Sequence, residues 1–235
     1  MPDLERNWMY RMVRRSRMAR HVIRDIGFAL DMQLLAAYKE PEELALIRRV
    51  KKESDIYLTA GEAYMVYSLA RAQSRLPGEM VEVGVYRGGS SKLICEAKGD
   101  TPLHLFDTFE GLPETHPYDR GFFQRGLFPG SLEAVQNYLS AYPNVIFHPG
   151  LFPQTAEGLE DRRFSFVHLD VDIYASMKAG LEFFYPRLVE GGIILVHDYQ
   201  YPGVRRAFDE VFAENGHTII PLNSSQCIVR GPCAS

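Results

Sequence analysis

Residues 81–91 read Val81-Glu82-Val83-Gly84-Val85-Tyr86-Arg87-Gly88-Gly89-Ser90-Ser91. An apolar run that ends in a glycine-rich turn before a helix is typical of the first strand–loop–helix unit of an α/β sheet that binds a nucleotide. Glycine lets the backbone approach a ligand closely, and the start of the helix offers unpaired N–H groups. The spacing matches neither the GxGxxG dinucleotide fingerprint nor the GxxxxGK(S/T) phosphate loop. The stretch therefore predicts a ligand cradle of another kind.

Short apolar runs alternate with helical segments on the carboxyl side of this loop. Such runs predict buried parallel strands, and the segments between them predict crossover helices. The predicted strands span residues 80–83, 103–106, 145–147, 164–169 and 193–196, with a terminal hairpin at 218–221 and 226–229. The predicted helices span residues 90–97, 131–140, 176–185 and 204–214. This order predicts an α/β, Rossmann-like fold: a mostly parallel seven-stranded sheet with an antiparallel edge hairpin and a site at the carboxyl ends of its strands.

The segment before the loop is predicted to be helical. Arginine recurs between apolar side chains from Arg6 to Arg24, as in a basic amphipathic helix. A second helix is expected at 42–52, and Thr59 with Glu62 forms a capping box that begins a third. We expect residues 1–76 to be a helical extension that caps the substrate or a homodimer or larger homo-oligomer, and residues 77–235 to be the core. The arginine-rich helix either packs on the body or a second subunit, or contacts a substrate phosphate or a membrane surface.

Composition excludes several classes of protein. The 235 residues carry a formal net charge of −4, so the global basic excess of a nucleic-acid-binding protein is missing. No run approaches the roughly 20 apolar residues of a membrane span. Cys95, Cys227 and Cys233 form no CxxC pair, which favours plain thiols in a reducing compartment. We therefore expect a cytoplasmic protein with no nucleic-acid partner and no membrane span.

Two acidic residues define the ligand of the cradle. Glu82 stands two residues before Gly84, and a carboxylate there suits a cationic or amino-acid ligand and repels pyrophosphate. Asp107 ends the next predicted strand, at about the distance at which an acidic side chain binds the ribose hydroxyls of a nucleoside. A nucleoside joined to an amino acid satisfies both. The sequence therefore predicts S-adenosylmethionine as the ligand. For Glu82 taken alone, the alternative is a solvated carboxylate that binds no ligand.

Polar side chains also follow the predicted strands at 164–169 and 193–196. Asp170 and Asp172 follow the first strand, and His197 and Asp198 follow the second. Both strands end at the same edge as the glycine loop, so these groups can converge. Two or three carboxylates suit a hard divalent cation, and a metal-bound hydroxyl loses its proton readily. The cluster predicts chemistry on a hydroxyl; the structural alternative is that Asp170 caps a helix and Asp198 makes a turn.

Four motifs occur in order along the chain: Glu82 to Ser91, Phe106-Asp107-Thr108-Phe109-Glu110-Gly111-Leu112-Pro113, Leu169-Asp170-Val171-Asp172-Ile173-Tyr174, and Gly191-Gly192 followed by His197-Asp198-Tyr199. Together they resemble the macrocin O-methyltransferase (TylF-type) family of class I methyltransferases, from about Thr59 to Val229. Many members of that family are metal-dependent, and they methylate hydroxyls of sugars and aromatic rings. The resemblance implies an S-adenosylmethionine-dependent O-methyltransferase, assisted by a divalent metal, for a hydroxyl of a sugar, a phenolic small molecule or a glycan precursor.

The resemblance also implies the residues of the site. Those placed around S-adenosylmethionine, with Asp107 on its ribose, are Glu82, Gly84, Tyr86, Gly88, Ser90, Ser91, Asp107, Thr108 and Phe109. Asp170, His197 and Asp198 are the candidate ligands of magnesium or manganese. Asp172 is the candidate general base, and Asp170 and His197 are the other catalytic candidates.

One position departs from the family pattern. The family commonly has Asp-Asp or Glu-Asp where this chain has His197-Asp198. Imidazole is a poor ligand for magnesium but suits manganese, iron or zinc. Three alternatives stay open: the metal differs, His197 lies behind the ligands or acts as a base, or metal binding is lost. The alternative functions are a metal-independent methyltransferase with His197 or Asp172 as base, and a non-catalytic S-adenosylmethionine-binding module.

Residues 110–130 are too polar and aromatic for a core element, and they predict a lid over the site. Tyr118, Phe122 and Phe123 either stack on a sugar or aryl acceptor or anchor the loop. In both cases the choice of acceptor would depend on this segment and on the N-terminal helices, for which the fold offers no rule.

Overall fold

The computed structural model describes residues 17–119, 121–212 and 219–231. Its centre is a seven-stranded sheet with the strand order β3-β2-β1-β4-β5-β7-β6. The strands are β1 (Glu79–Val83), β2 (Leu103–Asp107), β3 (Val145–Pro149), β4 (Phe164–Leu169), β5 (Leu188–Val196), β6 (Ile219–Pro221) and β7 (Cys227–Arg230). Strands β1 to β5 are parallel, whereas β7 runs antiparallel to β5 and β6. The predicted Rossmann-like sheet with an antiparallel edge hairpin is confirmed.

Helices cover both faces of this sheet. In the described part of the chain they are α1 (Arg17–Leu35), α2 (Pro41–Glu53), α3 (Ala60–Gln73), α4 (Gly89–Ala97), α5 (Leu132–Leu139), α6 (Tyr174–Phe184) and α7 (Pro202–Val211). The helices predicted at 90–97, 131–140, 176–185 and 204–214 correspond to α4, α5, α6 and α7. The end of the last prediction, residues 213–214, and the start of the predicted hairpin at 218 lie outside the described residues.

Helix α1 extends beyond the arginine-rich pattern. The arginine pattern ended at Arg24, but the helix continues to Leu35. Phe28, Met32 and Leu35 are buried, and their spacing places them on one face of the helix. Residues 1–16, with the first arginines of the pattern, lie outside the described residues. The arginine pattern therefore covers only the first part of this helix, and apolar spacing continues to its end.

Helices α2 and α3 share a hydrophobic core with one face of the sheet. Val50 of α2 and Val66 of α3 belong to the same buried cluster as Met80 of β1 and Leu105 of β2. A helix needs a second layer on which to bury its apolar side, and here the sheet is that layer. The helical segment before residue 77 and the sheet therefore have one common core rather than two separate ones.

The opposite face of the sheet packs against α6 and α7. Val81 of β1 and Val167 of β4 join Met177, Leu181 and Phe208 in a second buried cluster. Neighbouring residues of a strand point to opposite faces, so Met80 and Val81 belong to different clusters. Because both faces are covered by helices, only the edges and the ends of the strands are open to build a site.

The strand order reverses direction at β1, with β2 on one side and β4 on the other. Ligand sites of open α/β sheets lie at such switch points, beyond the carboxyl ends of the strands. Here the backbones after β1 and β4 come very close, since a Cβ at Gly84 would lie 1.9 Å from the carbonyl oxygen of Asp170. The φ of Gly84 is +93°, which also favours glycine. The strand ends can meet only if residue 84 has no side chain.

No helix in the described ranges is both long enough and apolar enough to cross a bilayer. Helix α1 exposes Val22, Ile26, Leu30 and Leu34 at intervals of four residues, so an apolar stripe faces outward. The homo-oligomer and the cytoplasmic location stay predictions.

We predict that Gly84→Ala destabilises the protein more than Gly99→Ala. Both glycines have a positive φ, so each alanine costs about 1 to 2 kcal/mol in backbone strain. A Cβ at Gly99 meets nothing within 4 Å, whereas a Cβ at Gly84 overlaps Asp170, which adds about 1 to 3 kcal/mol. Urea unfolding followed by circular dichroism measures both losses. Equal losses would show that the approach of β1 to β4 does not select glycine at residue 84.

Candidate active site

A cavity of about 350 Å³ opens at the carboxyl ends of the strands. Small-molecule sites commonly have volumes of about 300 to 1,000 Å³. The walls come from the loop between β1 and α4, the ends of β2, β4 and β5, the segment 110–130, and Tyr57 ahead of α3. The predicted site residues among its lining are Gly84, Tyr86, Asp107, Thr108, Asp170, Asp172, His197 and Asp198. The fold thus brings the glycine loop and the acidic cluster into one pocket.

The remaining residues predicted to bind the cofactor are not among the lining of the cavity. These are Glu82, Gly88, Ser90, Ser91 and Phe109. Glu82 lies beneath the loop and is fully buried. Ser91 Oγ donates a hydrogen bond to one oxygen of Glu82, and His168 Nδ1 lies 2.9 Å from the other. This placement ties β1 to α4 and β4, and direct contact of these residues with a ligand stays a prediction.

The other two glycines of the loop are in contact with neighbouring elements of the protein. A Cβ at Gly88 would lie 3.0 Å from Val135 Cγ1 of α5, and a Cβ at Gly89 would lie 2.6 Å from Ser54 Oγ, just after α2. Gly88 has a φ of +77° and directly precedes α4. The sequence predicted that glycine here admits a ligand. In the structure, the missing side chains let α5 and the residue after α2 pack closely against the loop.

The carboxylate of Asp107 holds the glycine loop from the end of β2. Its Oδ2 accepts the N–H of Val85 at 2.7 Å and that of Tyr86 at 2.8 Å. Its Oδ1 accepts the N–H of Phe109 at 2.7 Å. An ionised carboxylate has about four acceptor positions, so three backbone donors leave about one for a ligand. The contact of Asp107 with a ribose stays a prediction.

Asp170, His197 and Asp198 meet where β4 and β5 end. Nδ1 of His197 lies 3.3 Å from Asp170 Oδ1 and 3.2 Å from Asp198 Oδ2. One ligand atom from each residue lies within 4.8 Å of the others, a spacing that suits a single cation. Nδ1 is buried and makes no hydrogen bond with either carboxylate. An unsatisfied nitrogen between two carboxylates is a mixed donor set that fits a divalent metal.

Charges within this cluster shift its pKa values. Burial lowers the pKa of His197, but the carboxylates of Asp170 and Asp198 outweigh burial and raise it well above its usual value. Burial raises the pKa of Asp170, and the positive charge of His197 outweighs that and lowers it. Burial, together with the carboxylates of Asp198 and Asp170, raises the pKa of Asp172 well above the usual range. His197 and Asp172 thus both have raised pKa values, and perturbed pKa values are typical of functional sites.

Glu62 and Ser225 lie behind His197, and the sequence analysis missed this role for both. Nε2 of His197 lies 3.0 Å from Ser225 Oγ and 3.4 Å from Glu62 Oε1. Burial raises the pKa of Glu62, but hydrogen bonds with His197, Ser225 and Thr59 outweigh burial and hold it well below its usual value. The predicted capping box of Thr59 and Glu62 is formed at the start of α3. That pattern indicated the helix cap but not the contact with the site.

Aromatic side chains connect α1 to the wall of the pocket. The rings of Tyr57, Tyr86 and Phe128 meet edge to face, with centroids 5.4 to 6.0 Å apart. The guanidinium of Arg24 lies 4.7 Å from the ring centroid of Tyr57 and forms an ion pair of 2.8 Å with Asp55. Arg24 therefore packs on the body of the protein, which is one of the alternatives predicted for the arginine-rich helix.

Unusual backbone conformations surround the cavity. The described residues other than glycine with positive φ are Tyr86, Phe109, Phe128, Asn144, Asp172 and Asp198. All of them except Phe109 and Asn144 line the cavity. Such conformations cost about 1 to 3 kcal/mol each and cluster at functional sites. The sequence pattern placed Asp172 and Asp198 at strand ends, and the structure adds their left-handed backbone conformation.

Comparison with known proteins assigns the chain to a family. Residues 68–224, more than half of the chain, match the model of the macrocin-O-methyltransferase (TylF) family. The chain belongs to this family. The resemblance carried by the four motifs is thereby confirmed.

Curated relatives of this TylF-family chain are O-methyltransferases. The 8-demethyl-8-(2,3-dimethoxy-alpha-L-rhamnosyl)-tetracenomycin-C 4'-O-methyltransferase of Streptomyces olivaceus is 36% identical over 148 residues, covering 56% of this chain and 57% of the relative. The mycinamicin III 3''-O-methyltransferase of Micromonospora griseorubida is 31% identical over 159 residues, covering 60% of this chain and 63% of the relative. The matches thus span less than two thirds of the length of these relatives.

Solved structures have the same fold as this TylF-family chain. The O-methyltransferase NovP superposes with a TM-score of 0.64 at 24% identity, covering 75% of this chain and 81% of that chain. A calicheamicin methyltransferase superposes with a TM-score of 0.63 at 20% identity, covering 82% of this chain and 94% of that chain. Together with the strand order, these superpositions confirm the methyltransferase type of Rossmann-like sheet.

In this TylF-family chain, Asp119 anchors the segment 110–130. Its side chain is 3% exposed, Oδ2 accepts the N–H of His116 at 2.7 Å, and Oδ1 accepts the N–H of Tyr174, the first residue of α6, at 2.9 Å. The ring of Phe123 lines the cavity and meets that of Tyr201, with centroids 5.0 Å apart. The segment therefore forms a wall of the cavity, and its opening and closing as a lid stays a prediction.

We predict that Asp119→Ala loosens the segment 110–130. The change leaves two backbone N–H groups without their acceptor, at a cost of about 1 to 3 kcal/mol. Trypsin should then cleave faster after Arg125, which is exposed within the segment. Ser131→Ala is the matched control, because it removes the side-chain cap of α5 and leaves the anchor intact. Unchanged cleavage in Asp119→Ala would mean that other contacts hold the segment.

Proposed function

We propose that this chain is a cytoplasmic, homo-oligomeric, S-adenosylmethionine-dependent O-methyltransferase that methylates a hydroxyl of a sugar, a phenolic small molecule or a glycan precursor with the help of a divalent metal. One observation carries the proposal: a single cavity joins the glycine loop to the acidic cluster in a member of the TylF family. A pocket of this kind can hold a methyl donor at one end and activate a hydroxyl at the other.

The donor end of the cavity lies at the loop after β1. Gly84, Tyr86, Asp107 and Thr108 line it, and Asp107 keeps about one acceptor position for a ribose hydroxyl. When bound, S-adenosylmethionine supplies an electrophilic methyl group, which the acceptor oxygen takes as the carbon–sulfur bond breaks. The residues of the loop contribute by fixing orientation, and positioning of this kind can supply about 7 to 11 kcal/mol of a barrier.

Asp172 receives the proton of the acceptor hydroxyl. It lines the cavity beside Asp170 and Asp198, and a φ of 60° fixes its backbone there. A carboxylate that accepts the proton as the oxygen attacks contributes about 10²- to 10⁴-fold to the rate. His197 is less suited to this role, because both of its ring nitrogens already face protein groups.

Asp170, His197 and Asp198 would hold the divalent metal. The convergence of their ligand atoms and the unsatisfied Nδ1 of His197 support this assignment. A metal bound there would lower the pKa of the acceptor hydroxyl and so ease the transfer of its proton to Asp172.

The name of one relative favours a sugar hydroxyl as acceptor. The name of the Streptomyces relative gives a substrate with a rhamnosyl group and a 4'-O-methyltransferase, and that of the Micromonospora relative gives 3''-O-methylation of mycinamicin III. The apolar side chains of Leu112, Phe123 and Leu127 in the cavity would pack against the rest of such a glycosylated molecule. Glycosylated small molecules are therefore the first acceptors to test.

We predict that the chain binds S-adenosylmethionine and that Asp172→Asn abolishes most of its methyl transfer. Calorimetry should give similar affinity for the donor in both proteins, whereas turnover should fall by about 10²- to 10⁴-fold because the proton acceptor is lost. Asp161→Asn is the control. It changes an exposed carboxylate at the amino ends of the strands, opposite the cavity, and should leave donor affinity and turnover unchanged.

Three outcomes would contradict this assignment in different ways. Absence of donor binding at millimolar S-adenosylmethionine would overturn the proposed function. Turnover that survives exhaustive chelation would favour the metal-independent alternative, with Asp172 or His197 as base. Donor binding without transfer to any acceptor, unchanged by substitution of Asp170 and Asp198, would favour a non-catalytic binding module.

A further inference from the structure

His197 lies between two sets of polar groups, one on each ring nitrogen. On the pocket side, Nδ1 is 3.3 Å from Asp170 Oδ1 and 3.2 Å from Asp198 Oδ2, without a hydrogen bond. On the inner side, Nε2 is 3.0 Å from Ser225 Oγ and 3.4 Å from Glu62 Oε1. The ring therefore has hydrogen-bonding protein groups on its inner side and carboxylates that could share a metal with it on its pocket side.

The hydrogen bonds behind the ring decide which nitrogen carries a proton. The hydroxyl of Ser225 donates to Glu62 Oε1. A hydroxyl has one proton to give, so Ser225 can only accept from the nitrogen of His197 that faces it. A carboxylate can also only accept. Nε2 must then carry a hydrogen, and in the neutral imidazole Nδ1 is the nitrogen with the free lone pair.

Glu62 is itself held rigidly. Its Oε2 accepts the backbone N–H of Thr59 at 3.0 Å, and its Oε1 accepts the backbone N–H of Ser225 at 3.2 Å. Glu62 is buried, so water has little access to these bonds. The acceptor behind His197 is therefore fixed by two backbone groups, one at the start of α3 and one just before β7.

We propose that Glu62 and Ser225 orient His197 as a nitrogen ligand, and that this makes the site select Mn²⁺ over Mg²⁺. Asp170 and Asp198 supply the oxygen ligands. Imidazole suits first-row transition metals, whereas magnesium prefers carboxylate, carbonyl and water oxygens. A carboxylate behind a ligating histidine fixes its tautomer and strengthens the metal bond. The inference rests on the metal site of the proposed function, and Glu62 and Ser225 are positioning residues because they act through His197.

The test measures metal binding by the full-length chain rather than its activity. Calorimetry gives the affinities for Mn²⁺ and Mg²⁺. Electron spin echo envelope modulation spectroscopy of bound Mn²⁺ detects a coordinated nitrogen. We expect Mn²⁺ to bind more tightly than Mg²⁺ and to couple to nitrogen. In His197→Asp the nitrogen coupling should disappear and the preference should move towards Mg²⁺.

Two variants test the groups behind the ring. Glu62→Gln can keep the helix cap, since glutamine also serves in a capping box, but its amide can place a donor against Nε2. Ser225→Ala removes the other acceptor and leaves the cap untouched. Each should weaken Mn²⁺ binding by about 10- to 100-fold. Glu53→Gln is the control, because it removes a carboxylate charge from α2 outside the pocket lining, and it should bind Mn²⁺ as the wild type does.

Bound Mn²⁺ without nitrogen coupling, or equal affinities for the two metals, would overturn the inference. So would unchanged Mn²⁺ affinity in both Glu62→Gln and Ser225→Ala. Circular dichroism identifies a variant that fails to fold, and the other variant then decides. S-adenosylmethionine binding, measured in parallel without metal, tests the proposed function separately, so a chain that binds the donor but shows no metal preference loses only this inference.

Discussion

The close approach of Gly84 to Asp170 is the contact on which the pocket depends. The strand order places β1 between β2 and β4, so the loop after β1 has Asp107 on one side and Asp170 on the other. The N–H of Asp170 donates to the carbonyl of Val83 at 3.0 Å, which carries the pairing of β1 with β4 to the rim of the sheet. Any side chain at residue 84 would separate the glycine loop from the acidic cluster, and the two ends of the cavity would no longer face each other.

Buried carboxylates outside the cavity hold in place the side chains and loops that line it. Glu82 lies under the glycine loop, bonded to Ser91 and His168, and Glu62 lies behind His197. A buried carboxylate is costly unless its oxygens find donors, and here donors surround both acids. Such buried pairs fix the orientation of the groups in front of them before any ligand arrives, which is the condition for a preorganised site.

Local patterns predicted the elements that local contacts determine. The strand predicted at 164–169 is the observed β4, because a mostly apolar run, interrupted by Ser165 and His168, is typical of a strand in a sheet covered on both faces. The start of β5 was missed: Gly191 and Gly192 suggest a turn, yet the strand runs through them, with Gly191 at a φ of +77°. The acidic cluster was predictable because parallel strands end at one edge. The arrangement of Glu62 and Ser225 was not, because it depends on how distant segments dock.

Glu62 and Ser225 are 163 residues apart in the sequence, and Ser225 lies two residues before β7 of the antiparallel hairpin. Contacts between such distant segments form late, since the entropy of closing a long loop must be overcome first. The backbone of the glycine loop, in contrast, is held by Asp107 at the end of β2, which is 21 to 22 residues away in the sequence. The direction of the imidazole thus depends on the docking of the last strands of the chain, whereas the glycine loop depends on a strand close to it in the sequence.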